Sequence, residues 1–400
     1  MRIDSKKLGL LAALATIALL VAACGGGGST SSDSTASTGA EEGGGGSTST
    51  ATGVKEAEAA VAAGYKGTER MPPSTGPAAQ KGKNVWVISC IQAGGSGCSV
   101  VARVLEEAAP HLGWNITLVD GKGDPNVENQ AIRQAVAAKA DGIIDIAIDC
   151  GTIKNSLQVA KEAGIPVVGV YAFDCDDPKI GGQQMFAASP NYGTKNIGEY
   201  FENWGRLRAD YAIAKTEGKA KIIELPDPTF LLSSYGMEGF NAELKEKCPE
   251  CEVVGEVEIP FGDVVEGKAG QKVQTILTQH PEADVLVPAY DPQTQGIAQS
   301  VKASGRSEMM VLGGEGFEAN LELIREGLQS VAVATSVEQI GWGGADALNR
   351  VFAGQPKIPD QGAGYTIINK EHNLPPKGQN WKSRVDYQSA FESVWAGKGE

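Results

Sequence analysis

Short apolar runs alternate with amphipathic segments along most of this chain. The apolar runs have the length and composition of buried strands, and the segments between them repeat apolar side chains every three or four positions, as helices do. The predicted strands lie at 83–90, 115–120, 141–149 and 164–171, and then at 221–225, 252–259, 283–289, 310–314 and 331–336. The predicted helices lie at 99–112, 126–140, 152–163, 191–214, 234–247, 267–280, 294–304 and 318–327.

The continuous apolar character of the strands predicts the fold class. Strands of this kind are buried on both faces, as in parallel sheets covered by helices. Residues 83–400 are too many for one small core, and the pattern restarts near residue 190. The sequence therefore predicts an α/β protein with two doubly wound parallel-sheet lobes. Because ligands of such sheets lie beyond the carboxyl ends of the strands, two facing lobes would enclose one cleft.

The amino terminus has the pattern of a secretory signal peptide. A basic head precedes an apolar run over 8–20 and two alanines before Cys24. The run is shorter than the roughly 20 residues that a spanning helix needs, although a signal anchor with an incidental cysteine is the alternative. We therefore expect removal of 1–23 and acylation of Cys24. The protein would then lie on the extracytoplasmic face of the cell membrane, held only by its lipid.

The segment that follows is predicted to be a flexible tether. Residues 25–53 are almost wholly Gly, Ser, Thr and Ala, a composition that buries little apolar surface and favours disorder. A short helix is expected at 54–64, and prolines interrupt the chain soon afterwards. We therefore expect 24–82 to be a lipid-anchored disordered tether, with the folded body beginning near Lys83.

Charge and cysteine content narrow the function classes. The formal net charge of −14 argues against a nucleic-acid partner, which needs a basic surface. An even number of cysteines after Cys24 favours disulfides in an exported protein. Zinc is the alternative at the last two cysteines, but a second such pair is missing. The order along the chain suggests the pairs Cys90–Cys98, Cys150–Cys175 and Cys248–Cys251.

Several short segments resemble a known family. They are VIS at 87–89, IPVV at 165–168, ASPNYG at 188–193, GMEGF at 236–240, LGGEG at 312–316 and EQIG at 338–341. In this order and spacing, between about 83 and 370, the chain resembles the periplasmic sugar-binding proteins of ABC importers, of the ribose- and galactose-binding type.

The resemblance implies a type I periplasmic binding protein, with two lobes joined by three crossings that close on a ligand as a hinge. The first lobe would comprise 83–189 plus 338–365, and the second 190–337 plus 366–400. It also implies capture of a small sugar or polyol-like molecule and its delivery to a membrane permease with its ATPase. We expect a monomer without a cofactor.

The ligand residues carry over only in part. The Asp-Arg pair that follows the fourth strand in the family is replaced by Tyr171 and Ala172, and the arginine expected near Ser234 is absent. Both arginines that grip sugar hydroxyls are thus lost. The predicted ligand-binding residues are Gln92, Ser96, Asp149, Tyr171, Phe173, Asp174, Ser234, Tyr290, Asp291, Glu315 and Gln339.

This set supplies aromatic faces, neutral hydrogen-bonding groups and four carboxylates without a nearby Arg or Lys. It favours a polyol or a ligand with positive charge, a nucleoside-like molecule being a further alternative, and it disfavours an anion. Some members have a second interpretation: Asp149 and Asp174 as helix caps, Tyr171 as core, and Gln339 as a partner of hinge backbone groups.

Two other functional classes are an enzyme and a sensory receptor subunit. The three histidines lie in no catalytic or metal-binding spacing, and no nucleophile elbow, phosphate loop or dinucleotide fingerprint is present, so we expect no enzyme. A sensory receptor subunit for a kinase or chemoreceptor would share the fold and the anchor. It is the alternative to transport.

Overall fold

The computed structural model describes residues 45–93 and 96–398. The predicted signal peptide, Cys24 and the first part of the predicted tether lie outside the described residues. The strands are β1 Asn84–Ser89, β2 Asn115–Asp120, β3 Gly142–Ile146, β4 Val167–Val170, β5 Lys221–Leu225, β6 Glu252–Glu256, β7 Val285–Pro288, β8 Met310–Gly314, β9 Val331–Thr335 and β10 Tyr365–Ile368. The helices are α1 Gly45–Lys66, α2 Gly97–Leu112, α3 Pro125–Ala137, α4 Cys150–Glu162, α5 Ile197–Lys215, α6 Leu231–Lys247, α7 Phe261–Val265, α8 Ala269–Gln279, α9 Asp291–Ala303, α10 Glu318–Glu326, α11 Val337–Phe352 and α12 Tyr387–Trp395.

The strands form two separate sheets. The first, in lobe 1, has the order β2-β1-β3-β4 and is parallel throughout. The second, in lobe 2, has the order β10-β9-β8-β7-β5-β6, and only β10 is antiparallel. The central strands of both sheets are buried along their length, because helices cover both faces. All nine predicted strands are confirmed, and β10 was not predicted.

The chain passes between the sheets three times. It crosses after β4, again between β9 and α11, and a third time between α11 and β10. The helix expected from 191 begins only at Ile197, because Asn196 caps it and the preceding residues form the first crossing. The Gln361 amide ties the crossings together, since its side chain accepts from Asn191 N and donates to Gly343 O.

The first correction concerns the predicted tether. Residues 45–66 form α1, which packs on α5, α6 and β10, and Ala57 is fully buried. A Cβ at Gly53 would lie 1.9 Å from the Lys247 carbonyl oxygen, so small residues let α1 approach its neighbours closely. The segment after α1 continues as packed chain, with Thr68 N donating to Tyr365 O and Ala79 N to Trp395 O. The many small residues suggested disorder in the sequence. In the structure they instead permit the helix to pack closely on its neighbours.

The second correction concerns the carboxyl terminus. Strand β10 joins lobe 2 as expected, but α12 packs on α11 and α2 of lobe 1. The Trp395 ring stacks on Trp342 with centroids 5.4 Å apart, and its indole N–H donates to Asp346 over 3.1 Å. The apolar stripe of α12 needs a partner, and that partner is the buried face of α11. The tail therefore does not belong to lobe 2 alone.

The disulfides Cys90–Cys98, Cys150–Cys175 and Cys248–Cys251 are all present, as the order of cysteines suggests. No helix in the described ranges is both long enough and apolar enough to cross a membrane.

The packing of α1 predicts a difference between two identical substitutions on one helix. Ala57→Asp buries a carboxylate and should lower the free energy of unfolding by about 2–4 kcal/mol. Ala59→Asp, on the exposed side of α1, should change it by less than about 0.5 kcal/mol. Urea unfolding followed by circular dichroism measures both values. Equal effects would show that α1 is not part of the folded body.

Candidate functional site

A cavity of about 60 Å³ lies where the carboxyl ends of strands from both sheets meet. Cys90, Ala147 and Tyr171 follow β1, β3 and β4 of lobe 1. From lobe 2, residues at the ends of β7, β8 and β9 complete the wall. The full lining is Cys90, Ile91, Ser96, Gly97, Cys98, Ile146, Ala147, Tyr171, Phe201, Trp204, Phe230, Leu232, Phe261, Tyr290, Pro292, Glu315, Thr335 and Val337.

Aromatic side chains form much of this wall. In lobe 2, the ring of Phe230 meets those of Phe261 and Tyr290, with centroids 5.4 and 6.0 Å apart. On the other side, Phe201 contacts Tyr171 at 6.0 Å. Edge and tilted arrangements of this kind are favourable for aromatic pairs and leave ring faces free to contact a ligand.

Ile91 and residues 96–98 close the cavity on the side of lobe 1. The Cys90–Cys98 disulfide joins these parts of the chain, so its sulfur atoms are part of the wall. Ser96 caps α2, accepting from Ser99 N over 3.4 Å, and its hydroxyl donates to Ile91 O over 3.4 Å. The hydroxyl of Ser96 therefore has structural partners although it lies at the cavity.

Three lining residues have a backbone conformation that side chains rarely adopt. Ala147, Tyr171 and Glu315 have φ values of 55°, 57° and 41°. Such conformations cost energy in residues other than glycine and occur often at binding and catalytic sites. Here each residue directly follows or nearly follows a strand, and the turn directs its side chain into the cavity.

Glu315 carries the carboxyl group of the described lining. Its Oε2 accepts from Asp291 N over 3.2 Å, and a Cβ added to Gly97 of lobe 1 would lie 3.1 Å from its Oε1. Burial raises the pKa of Glu315 to about 8, and repulsion from the Asp291 carboxylate adds to the rise. Arg208 lowers that pKa in part but does not reach the cavity wall, because its guanidinium stacks on Trp204 4.3 Å from the ring centroid.

Asp291 fixes the backbone beneath Glu315. Its carboxylate accepts from Gly314 N and Gly316 N over 2.8 Å each, and from Phe317 N over 3.1 Å. Burial raises the pKa of Asp291 to about 7, although these three hydrogen bonds oppose the rise. Asp291 thus holds the turn that carries Glu315 and does not itself line the cavity.

Four of the predicted ligand-binding residues meet at the cavity: Ser96, Tyr171, Tyr290 and Glu315. The Tyr290 hydroxyl donates to Asp227, so it points away from a ligand. The Tyr171 hydroxyl is buried, lies beside Thr335 and forms no hydrogen bond of good geometry within the described residues.

The other predicted residues lie outside the lining. Phe173 stacks on Tyr235 at 5.2 Å between centroids, Asp174 accepts from three backbone N–H groups of its own loop, and Ser234 donates to Glu238 on the surface of α6. Gln92 donates its backbone N–H to Asp120, and its side-chain nitrogen is buried without a partner among the described atoms.

Two further predicted residues connect parts of the fold. The Gln339 amide donates to Gln361 O and Arg70 O, so it binds backbone at the crossings. Asp149 accepts from Phe173 N in lobe 1 and from Leu231 N in lobe 2, both over 3.0 Å. Its carboxylate therefore spans the cleft, and burial raises its pKa to about 6.

Several lining residues were not predicted, including Phe201, Trp204, Phe230, Phe261 and Thr335. On α5, Phe201 and Trp204 have the spacing of an ordinary buried helix stripe, so the sequence does not separate them from core. Phe230 and Phe261 follow β5 and β6, and a large apolar residue in such a loop is the signal that was available.

Two lobes, three crossings and a cavity between the strand ends define the class of two-lobe solute-binding proteins. A model of the periplasmic binding protein domain matches residues 87–356, and the chain belongs to this family. Membership implies an extracytoplasmic location and a role as a transport solute-binding protein.

Named relatives agree with this assignment. The ribose import binding protein RbsB of Escherichia coli K12 is 23% identical over 253 residues, which cover 62% of this chain and 78% of the relative. The fold is similar to that of a Caulobacter myo-inositol binding protein bound to myo-inositol (TM-score 0.63, 17% identity, 74% of this chain and 96% of that one). A Mycobacterium smegmatis ABC transporter solute-binding protein with bound glycerol is similar as well (TM-score 0.62, 20% identity, 76% and 99%).

The raised pKa of Glu315 predicts how one substitution changes the pH dependence of stability. The folded state keeps the proton up to about pH 8, whereas the unfolded chain releases it near pH 4.5, so this group lowers stability as the pH rises between those values. Glu315→Gln removes this contribution. Its free energy of unfolding relative to the parent protein should therefore be higher at pH 8 than at pH 5.

Denaturant unfolding at the two pH values measures this difference, with Glu308→Gln as an exposed control in the same lobe. The free energy of unfolding of Glu315→Gln relative to the parent protein is the quantity compared. If it is the same at both pH values, or lower at pH 8, the burial of the Glu315 carboxyl at the cavity is contradicted.

Proposed function

We propose that this chain is the solute-binding subunit of an ABC importer, which captures a small molecule in the cavity and delivers it to a permease with its ATPase. The observation that carries the proposal is the joint origin of the cavity wall: residues that follow strands of both sheets contribute to one cavity. A solute held there contacts both lobes, so its binding energy favours the closed arrangement.

Contacts across the cleft support a hinge that closes. Helix α6 of lobe 2 has no capping side chain of its own, and Asp149 of lobe 1 accepts from its first N–H group. Nearby, the Tyr235 hydroxyl of α6 donates to Asp177 of lobe 1 over 2.8 Å, and Lys179 pairs with Glu238. These polar contacts connect the lobes outside the cavity, so they would form and break as the hinge moves.

The ligand class is supported by the relatives and by the free polar groups of the wall. Relatives are named for ribose, and similar structures hold D-arabinose, myo-inositol or glycerol. In this chain Tyr171, Thr335 and Glu315 offer hydrogen-bonding groups within the cavity. The relatives favour a small sugar or polyol-like solute, which is the class proposed here, and no acid–base chemistry is assigned to the site.

We further propose a lipid anchor at Cys24 and a monomeric protein. The anchor rests on the signal-like pattern before Cys24, and it would raise the effective concentration of the binding protein at its permease.

A broad thermal-shift screen tests the proposed function. Sugars, polyols, nucleosides and small amines are added to the purified protein, and a binder at 100 times its Kd should stabilise the fold by about 2.7 kcal/mol through mass action. Small-angle scattering should then show a narrower separation of the lobes with the binder than without it. A shift caused by a macromolecule, with none from any small solute, would contradict the proposal.

The contact between Asp149 and α6 predicts an effect on affinity without any contact to the ligand. Asp149→Ala removes an acceptor that joins the lobes, so the closed form becomes less favourable and affinity should fall about 3- to 10-fold. Asp174→Ala is the matched control, because its carboxylate binds backbone groups of lobe 1 only. Isothermal titration of both variants with the best solute measures the effect. Equal affinities would contradict a role of Asp149 in closure.

A further inference from the structure

We infer that the solute has an apolar, ring-sized face and only one to three hydrogen-bonding groups, one of which donates to Glu315. This inference rests on the proposed function and narrows its ligand class. It follows from which polar atoms at the cavity already have partners and which do not.

Most polar groups near the cavity are committed to the protein. The Ser96 hydroxyl binds Ile91 O, and the Tyr290 hydroxyl binds Asp227. Asp291 and Gln339, both predicted to bind the ligand, instead bind backbone groups. These polar groups already serve contacts that hold the loops and crossings in place.

Three polar groups of the described wall are left for a ligand. They are the neighbouring hydroxyls of Tyr171 and Thr335, and the Glu315 carboxyl, whose Oε1 faces the start of α2 in lobe 1. Because Tyr171 and Glu315 come from different lobes, a solute that binds both would hold the cleft closed.

A fully hydroxylated ring has more hydroxyl groups than these three can pair. Each hydroxyl buried without a partner lowers affinity by about tenfold or more. The rest of the wall consists of aromatic rings, aliphatic side chains and the Cys90–Cys98 disulfide, which favour apolar surface. A ring with one apolar face and few polar groups therefore matches both the apolar part of the wall and its few free polar groups.

The acidic and basic residues of the wall indicate which polar group of the ligand binds there. Among the described lining residues Glu315 alone has a carboxyl group, and no Lys, Arg or His joins it. The Glu315 carboxyl can therefore accept a hydrogen bond from an amino group or a hydroxyl of the ligand. The lining offers an anionic solute no cationic partner.

Matched ring compounds test the inference by isothermal titration of the full folded protein. trans-4-Aminocyclohexanol has an apolar ring and two polar groups, and myo-inositol has the same ring with six hydroxyls. We expect the amino alcohol to bind at least about tenfold more tightly, and sparsely substituted rings to lead a wider panel of sugars, polyols and cyclic amines. If a fully hydroxylated ring or sugar binds most tightly, this inference is wrong while the proposed function stands. If no solute of the panel binds, both fail.

Two variants test whether the solute binds in the cavity. Phe230→Leu should weaken the best ring compound about 3- to 10-fold through the lost aromatic contact, and Glu315→Gln should weaken an amino-substituted ring more than its hydroxyl counterpart. Phe352→Leu is the matched control, because Phe352 is a half-buried aromatic residue that packs on Trp114 away from the cavity. Unchanged affinity in both cavity variants would overturn the inference.

Discussion

Parallel pairing places the carboxyl ends of neighbouring strands at one edge of a sheet, and the rest of this structure depends on that constraint. In lobe 1 the edge carries Ala147 and Tyr171, and in lobe 2 it carries Tyr290, Glu315 and Thr335. Three crossings bring the two edges face to face. A binding cavity is then the direct result of topology, and the identity of the residues at the strand ends sets its chemistry.

Buried carboxylates that bind backbone groups hold this arrangement in place. Asp291 accepts three N–H groups of the turn that carries Glu315, and Asp149 accepts one N–H group from each lobe. Neither side chain reaches the cavity wall. Each positions a part of the fold that does reach the wall. Asp291 fixes the position of Glu315, and Asp149 fixes the approach of α6. These two aspartates therefore serve the site by positioning its parts.

The periodic pattern of the chain was sufficient to predict the nine parallel-sheet strands and the two sheets, and the order of the cysteines suggested the disulfide pairs. Tyr171, Tyr290 and Glu315 could be located because each follows a strand. Asp291 and Gln339 could not be separated from ligand-binding residues by sequence, since only the structure shows that backbone groups occupy their polar atoms. Helix α1 was predicted only over 54–64, because the small residues before it suggested disorder although they allow close packing, as at Gly53.

The central claim is that the cavity between the lobes holds a small solute by contacts to both. A crystal structure of the protein with its tightest-binding solute tests this most directly. The account predicts the solute between Tyr171 of lobe 1 and Phe230 of lobe 2, with a donor group within hydrogen-bond distance of the Glu315 carboxyl. A solute bound at another surface, with no density for it between these residues, would contradict the account.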